Sequence, residues 1–269
     1  MGGPAPPDRL AMAPEGELLR IAAEAADAAG AILAERFGRP DPRVRAKTTP
    51  TDLVSEADHA AEDVIRGLLA KRRPADGVLG EEGGEHPGHS GLRWVIDPLD
   101  GTVNFLFGIP HWAVSVACED AAGTLAGVVR DPLRDETFAA GRQGPASLNG
   151  EPIAGSDGAG LDTSLVATGF SYDATVRARQ AEVAGQVLPL VRDLRRFGSA
   201  ALDLAWTACG RYDAFYERGL KRWDRIAGAL ICQRAGLLLR ELAPADGMPG
   251  GLVAAPPALI ADLEALVAG

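Results

Sequence analysis

Residues 93–105 read Arg-Trp-Val-Ile-Asp-Pro-Leu-Asp-Gly-Thr-Val-Asn-Phe, and this stretch limits what the chain can become more than any other. Trp94, Val95 and Ile96 form a short apolar run, the pattern of a buried strand that delivers its end to a site. Pro98 fixes φ directly after Asp97 and turns the chain, so that Asp97 and Asp100 converge with the Leu99 carbonyl between them. Gly101 lets the backbone approach a ligand closely, and Thr102 places a hydroxyl where a helix can begin. Three hard oxygen donors beside the open N–H groups of a helix start suit Mg²⁺ and a phosphate group together. A lone Asp-x-x-Asp is more often an acidic surface turn, but an apolar strand leading into it does not fit that reading.

The chain has 269 residues, enough for one large domain or two intimately packed ones. A net charge of −10 argues against nucleic acid as a partner. No apolar run reaches membrane-spanning length, and no membrane association is expected. Cys118, Cys209 and Cys232 lie far apart in apolar stretches and match neither a zinc spacing nor a disulfide framework, which suits buried thiols in a reducing, cytoplasmic compartment.

A Pro-, Gly- and Ala-rich segment, residues 1–16, is expected to be a disordered tail. Helical spacing follows over 18–37, and a second helix opens after Ser55 and stops before Pro74. Asp58, three residues after Ser55, completes a capping box with Asp in place of Glu, so a purely structural role for it is available. Val78-Leu79-Gly80 reads as a strand and residues 81–85 as an acidic loop. Residues 113–119, 124–130 and 136–140 read as consecutive strands of an antiparallel sheet. The glycine-rich stretch 150–160 divides an N-terminal half, 17–150, from a C-terminal half, 151–269. There strands and helices alternate: strand 165–167, helix 174–194, strand 195–198, a helix capped by Ser199, strand 212–217, helix 223–235, strands 237–239 and 251–254, and helix 257–267.

Glu81-Glu82, Asp97 with Asp100, and Asp224 each stand at the mouth of a strand or the start of a helix. No His or Cys accompanies them, which favours Mg²⁺ or Mn²⁺ over zinc. Carboxylates gathered without a cation repel one another, so a metal is the natural counter-charge.

These segments together resemble the inositol monophosphatase family of Mg²⁺-dependent, lithium-sensitive phosphatases. The matching pieces are Gly80-Glu81-Glu82, residues 94–105, and Trp223-Asp224-Arg-Ile-Ala-Gly228. Asp52 to Asp58, Gly198-Ser199-Ala200-Ala-Leu-Asp203, and Asp213 to Glu217 match as well. The likeness covers roughly residues 15 to 265. It implies an α+β fold, a layered α-β-α-β-α sandwich, and a homodimer.

It also implies a role for each site residue. Glu81, Asp97 and the Leu99 carbonyl would bind a first metal; Asp97, Asp100 and Asp224 would bind a second, and Glu81 would touch a third ion. Gly101 and Thr102 would present N–H groups to the phosphate, while Asp58 and Thr102 orient the attacking water. Ser199, Ala200 and Glu217 would line the substrate site with Asp100 and Asp224, and Glu217 would hold polyol hydroxyls. Two such ions about 4 Å apart activate water and stabilise the leaving oxygen of an in-line displacement.

The expected substrate is a small phosphate monoester, inositol monophosphate first. Histidinol phosphate, fructose 1,6-bisphosphate and 3′-phosphoadenosine 5′-phosphate are the alternatives, and a regulatory binding protein is the alternative outside enzymes. Residues 240–251 are shorter than the family pattern. Lys221-Arg222 makes a basic approach to the second metal site, read either as a solvated pair or as a contact to an anionic group.

Overall fold

The computed structural model describes residues 15–39, 45–46 and 53–268. Most of the segment expected to be a tail, and the polar stretch 47–52 with Asp52, lie outside the described residues. Glu15 and Gly16 are already helical.

Helix α1, Glu15–Arg36, buries a stripe of Leu18, Ile21, Ala22, Ala25, Ala26, Ala29 and Leu33; of the face expected from spacing (Leu19, Ala22, Ala26, Ala29, Ile32 and Leu33), Leu19 and Ile32 are only half-buried at its edges. Short strands β1, Arg45–Ala46, and β2, Leu53–Val54, pair antiparallel and lead into α2, Glu56–Arg72. A large sheet then forms from β3, Gly77–Gly80; β4, Gly84–His86; β5, Arg93–Asp100; β6, Ala113–Asp120; β7, Gly123–Asp131; β8, Glu136–Gly141; β9, Ser147–Leu148; and β10, Glu151–Pro152. Its order is β10-β9-β8-β7-β6-β5-β3-β4, and every pairing is antiparallel except β3 with β5. The five-residue helix α3, Thr102–Leu106, follows directly on β5.

The second sheet is mixed. It contains β11, Leu165–Thr168; β12, Asp193–Arg195; β13, Ala214–Arg218; β14, Leu238–Leu242; and β15, Gly251–Ala255, in the order β12-β11-β13-β15-β14. β11 runs parallel to both β12 and β13. Helices α4, Ala174–Val187; α5, Ala200–Ala208; α6, Arg222–Arg234; and α7, Ile260–Val267 complete the described chain.

Three apolar clusters show the layering. One packs α1 and α2 on the outer face of the large sheet, around Trp94, Ile96 and Trp112. The largest places α5 and α6 between the sheets, joining Val95 and Phe138 on one side to Phe215 and Leu252 on the other. The third packs α4 and α7 on the far face of the second sheet, around Val166, Val253 and Leu263. The result is α-β-α-β-α, as the resemblance implies. The middle layer is thin because glycines permit it. A Cβ on Gly228 of α6 would lie 2.6 Å from Leu204 of α5, and one on Gly127 of β7 would lie 2.9 Å from the Ala227 backbone.

Some elements differ from the sequence reading. The helix expected over 174–194 ends at Val187, where Pro189 cannot donate to the preceding turn and residues 188–190 tighten into a 3₁₀ turn. The strand expected at 195–198 consequently falls at Asp193–Arg195. The acidic loop 81–85 is half strand: Gly84 turns with φ +64° and β4 adds an exposed edge to the sheet. The strand expected at 237–239 runs on to Leu242 as β14.

Candidate active site

The site is built at the end of β5. The β5–β6 ladder is regular through Asp97 and shifts register before Asp100, so the turn carries both carboxylates out of the sheet on one side. Asp97 Oδ1 accepts the Leu99 N–H at 3.0 Å, which tightens the turn from within. Gly101 has φ +99°, and an added Cβ would stand 3.0 Å from the His111 carbonyl, so only glycine fits there. α3 begins at the next residue, and the first N–H groups of any helix lack intrahelical partners. The Thr102 hydroxyl has a single proton to share between Asp58 Oδ1 at 3.0 Å and the Leu99 carbonyl at 3.1 Å.

Asp58 has both of the roles weighed for it. Its Oδ2 accepts from Ser55 N at 2.9 Å and Ser55 Oγ at 2.6 Å, closing the capping box, while Oδ1 faces Thr102. The cap thus aims a buried carboxylate at the turn from 44 residues away.

Asp100 is held by the N-terminus of α5. Its Oδ2 accepts from Ser199 Oγ at 2.5 Å and from Ala201 N at 2.7 Å, with Ala200 between them as the first helical residue. Asp224, third residue of α6, accepts the Lys221 N–H at 2.6 Å. Glu217 is the penultimate residue of β13 and lies over Gly169, where a Cβ would come within 2.2 Å of its carboxyl group.

The structure brings Glu81, Asp97, Asp100 and Asp224 within electrostatic reach of one another. Burial first, then the charges of Glu81, Asp100 and Asp224, push the Asp97 carboxyl well above the usual range. Burial likewise raises Asp224, with Asp100 and Glu81 adding to it. Asp100 rises to about 6 through burial, against the Ser199 and Ala201 donors. Glu217 is pushed up to about 8 by burial and by Asp203 and Asp100, with Arg196 opposing. Among the described residues these side chains do not close into a ready-made cage of three ligands; Asp97, Asp100 and Asp224 each have one oxygen on a protein donor. The donor chemistry still fits a hard divalent cation. Four carboxylates and a backbone carbonyl offer oxygen alone, and their mutual repulsion is what a cation relieves.

The sign of the pH dependence follows. Carboxyls raised in the folded state keep protons that the unfolded chain has already lost, so stability without metal falls as pH rises from about 4 through 6. Mg²⁺ competes with those protons and is expected to reverse the fall. Thermal midpoints in EDTA and in Mg²⁺ across that range should therefore diverge as pH rises; parallel curves would contradict the site.

Several contributors were not legible as site residues. Glu62 of α2 is 2% exposed and accepts the N–H groups of Glu82 at 2.8 Å and Gly83 at 2.7 Å, while Arg66 holds it at 2.6 Å. That brace positions the Glu81 loop, and Gly80 and Gly83 have no room for a Cβ beside it. The only trace in sequence is the Glu62–Arg66 spacing of four. Ser115 Oγ donates to the Trp223 carbonyl at 3.1 Å, tying β6 to the start of α6. Arg222 is not a free cation: it and Arg93 both pair with Glu119, 3% exposed, and although burial pushes Glu119 upward the two guanidiniums hold its carboxyl below the usual range. The anion-contact reading of Lys221-Arg222 therefore falls to Lys221 alone.

The layered sandwich is shared with solved structures. The extragenic suppressor protein suhB from Bartonella henselae superposes with a TM-score of 0.86 at 35% identity, covering 93% of this chain and 98% of that one. Among curated proteins, the inositol-1-monophosphatase of Mycobacterium bovis is 43% identical over 238 residues, 84% of this chain and 81% of its own. The Nus factor SuhB of Salmonella typhimurium is 40% identical over 247 residues, 90% of this chain and 92% of its own. The model of the inositol monophosphatase family matches residues 15–267. The chain belongs to that family, and with it to the phosphoric monoester hydrolases.

Proposed function

We propose that the protein is a Mg²⁺-dependent phosphatase that transfers the phosphoryl group of a phosphate monoester to water and releases the alcohol, with inositol monophosphate as its substrate. The observation that carries this reading is the set of four mutually repelling carboxylates around the turn of β5, next to the start of α3. Glu81, Asp97 and the Leu99 carbonyl would hold one ion, and Asp97, Asp100 and Asp224 a second; a third ion at Glu81, or Mn²⁺ in place of Mg²⁺, suits the same oxygens. Bound there, the metal lowers the pKa of water and stabilises the leaving oxygen. The chain itself does the rest. Gly101 and Thr102 direct N–H groups at the phosphate. Thr102 and Asp58 hold the attacking water along the line of displacement. No protein nucleophile is required.

Glu217 sets the leaving-group side. As a carboxylate it accepts from polyol hydroxyls, and as a carboxyl group, the form favoured below about 8, it can also donate. Ser199 and Ala200 complete that wall at the start of α5. Glu217→Leu is expected to lower kcat/KM for inositol monophosphate by about 1–3 kcal/mol, and Glu217→Gln by less. p-Nitrophenyl phosphate, which offers no hydroxyl, should lose much less. Equal losses on both esters would place Glu217 with the metal site instead.

Li⁺, entering the second ion's place before phosphate departs, is expected to inhibit uncompetitively; unchanged turnover in high millimolar Li⁺ would remove that ion from the account. The enzyme is further read as a cytoplasmic homodimer, with its free thiols suited to a reducing compartment. Phosphate release from a panel of inositol monophosphate, histidinol phosphate, fructose 1,6-bisphosphate and 3′-phosphoadenosine 5′-phosphate tests the substrate assignment. A preference of at least tenfold for inositol monophosphate is expected, and a greater rate on any other ester would reassign it.

A further inference from the structure

Directly behind Glu217, on the opposite face of β13, Tyr216 and Arg218 point into the layer shared with α4 and α7. Arg218 is 5% exposed, and four of its five N–H donors end on carbonyls. Nη1 donates to Ala243 at 2.9 Å and Pro249 at 3.0 Å; Nη2 donates to Val267 at 3.0 Å and Ala268 at 2.5 Å. The fifth donor, Nε–H, has no partner. Among the described residues no carboxylate comes within ion-pair distance of this guanidinium, and Asp246 acts on it only from afar.

Two other polar groups in the same place are also unsatisfied. The Tyr216 hydroxyl and the Thr168 hydroxyl, 5% and 1% exposed as residues, lie close enough to act on each other but make no hydrogen bond of full geometry. They belong to paired positions of β11 and β13, where Thr168 stands opposite Tyr216. All three residues line one cavity, in which about 10 Å³ is open to the centre of a water-sized body. Its remaining walls are mostly apolar: Phe170, Val183, Met248 and Val267. Gln180 adds no free acceptor, because its Oε1 takes the Ser171 N–H at 2.7 Å and its Nε2 donates to the Arg218 carbonyl at 3.2 Å.

We propose that this cavity is a halide site, in which a chloride or bromide ion accepts from Arg218 Nε–H and the hydroxyls of Tyr216 and Thr168. The donors outnumber the acceptors, and among the described residues no carboxylate pairs with the buried guanidinium. A buried cation without a counter-charge is costly, and an anion here supplies one. The volume excludes phosphate and sulfate. The apolar walls favour weakly hydrated halides, so bromide should bind better than chloride and fluoride least. Because Tyr216 and Arg218 flank Glu217 in β13, a filled site steadies the strand end that presents Glu217.

The test has two arms on the full chain. In crystals grown in sodium bromide, an anomalous peak at the bromine edge is expected beside Arg218 Nε and Tyr216 Oη. In solution, bromide should raise the thermal midpoint saturably by about 2–4 °C over sodium gluconate at equal ionic strength. Both signals should vanish in Arg218→Met. Tyr216→Phe, which keeps the packing and removes only the hydroxyl, should weaken both even if Arg218→Met does not fold. A water without anomalous signal in the cavity would overturn the proposal. So would equal midpoints in bromide and gluconate, or an undiminished response in Tyr216→Phe.

Discussion

Asp97→Asn is expected to abolish Mg²⁺-dependent turnover while making the metal-free protein more stable. The two effects have one cause. Asp97 is 1% exposed and stands among Glu81, Asp100 and Asp224, so its charge is a burden on the fold unless a cation meets it. Removing that charge relieves the repulsion in the empty protein and takes away the ligand that both proposed ions share. A loss of at least about a thousandfold in kcat/KM, about 4 kcal/mol, is expected, with a thermal midpoint in EDTA above wild type. Asp224→Asn should behave alike, since its Oδ2 bond to the Lys221 N–H can pass to the amide oxygen. Steady-state kinetics at millimolar Mg²⁺ and melting in EDTA check both halves. Near-normal activity in either variant would refute the ligand assignment, and destabilisation in EDTA would refute the electrostatic argument.

Thr102→Ala is expected to lower kcat by about a hundredfold or more with little change in KM or stability. The hydroxyl touches both Asp58 and the Leu99 carbonyl, so its loss separates the carboxylate proposed to orient the water from the turn. A positioned proton acceptor contributes about 10²–10⁴ in rate. Thr102→Ser keeps the hydroxyl and should retain most activity. Asp58→Ala should differ in kind: it loses the same kcat and also about 1 kcal/mol of stability, because the α2 cap goes with it. If Asp58→Ala lost only stability, the capping reading of this residue would be sufficient.

Residues whose roles depend on near neighbours were legible in the sequence. Asp97, Pro98, Asp100, Gly101 and Thr102 declare a turn at the end of a buried strand; in the structure β5 runs on through Asp100 with a register shift after Asp97, and the chain then enters α3 at Thr102. The cap at Ser55 could be read for the same reason, since its partner is three residues away. What could not be read is what holds the turn's partners in place. Asp100 meets Ser199 and Ala201 across about a hundred residues, and no periodicity encodes a contact between a strand end and a helix start in another layer. Nothing in the sequence separates Glu62 from the other acids of its helix; its burial goes with the two glycines that let the Glu81 loop approach α2. The overlong helix at 174–194 failed on a local point: Leu188 and Leu190 continue an apolar pattern that Pro189 cannot follow as α-helix, and both side chains are about half exposed.

Hydrolysis of inositol monophosphate in ¹⁸O-enriched water, with and without EDTA, tests the central claim most directly. The account predicts phosphate release that requires Mg²⁺, with one solvent oxygen in each phosphate and none in the inositol. It would be contradicted by the label appearing in the inositol, or by release that continues undiminished in EDTA.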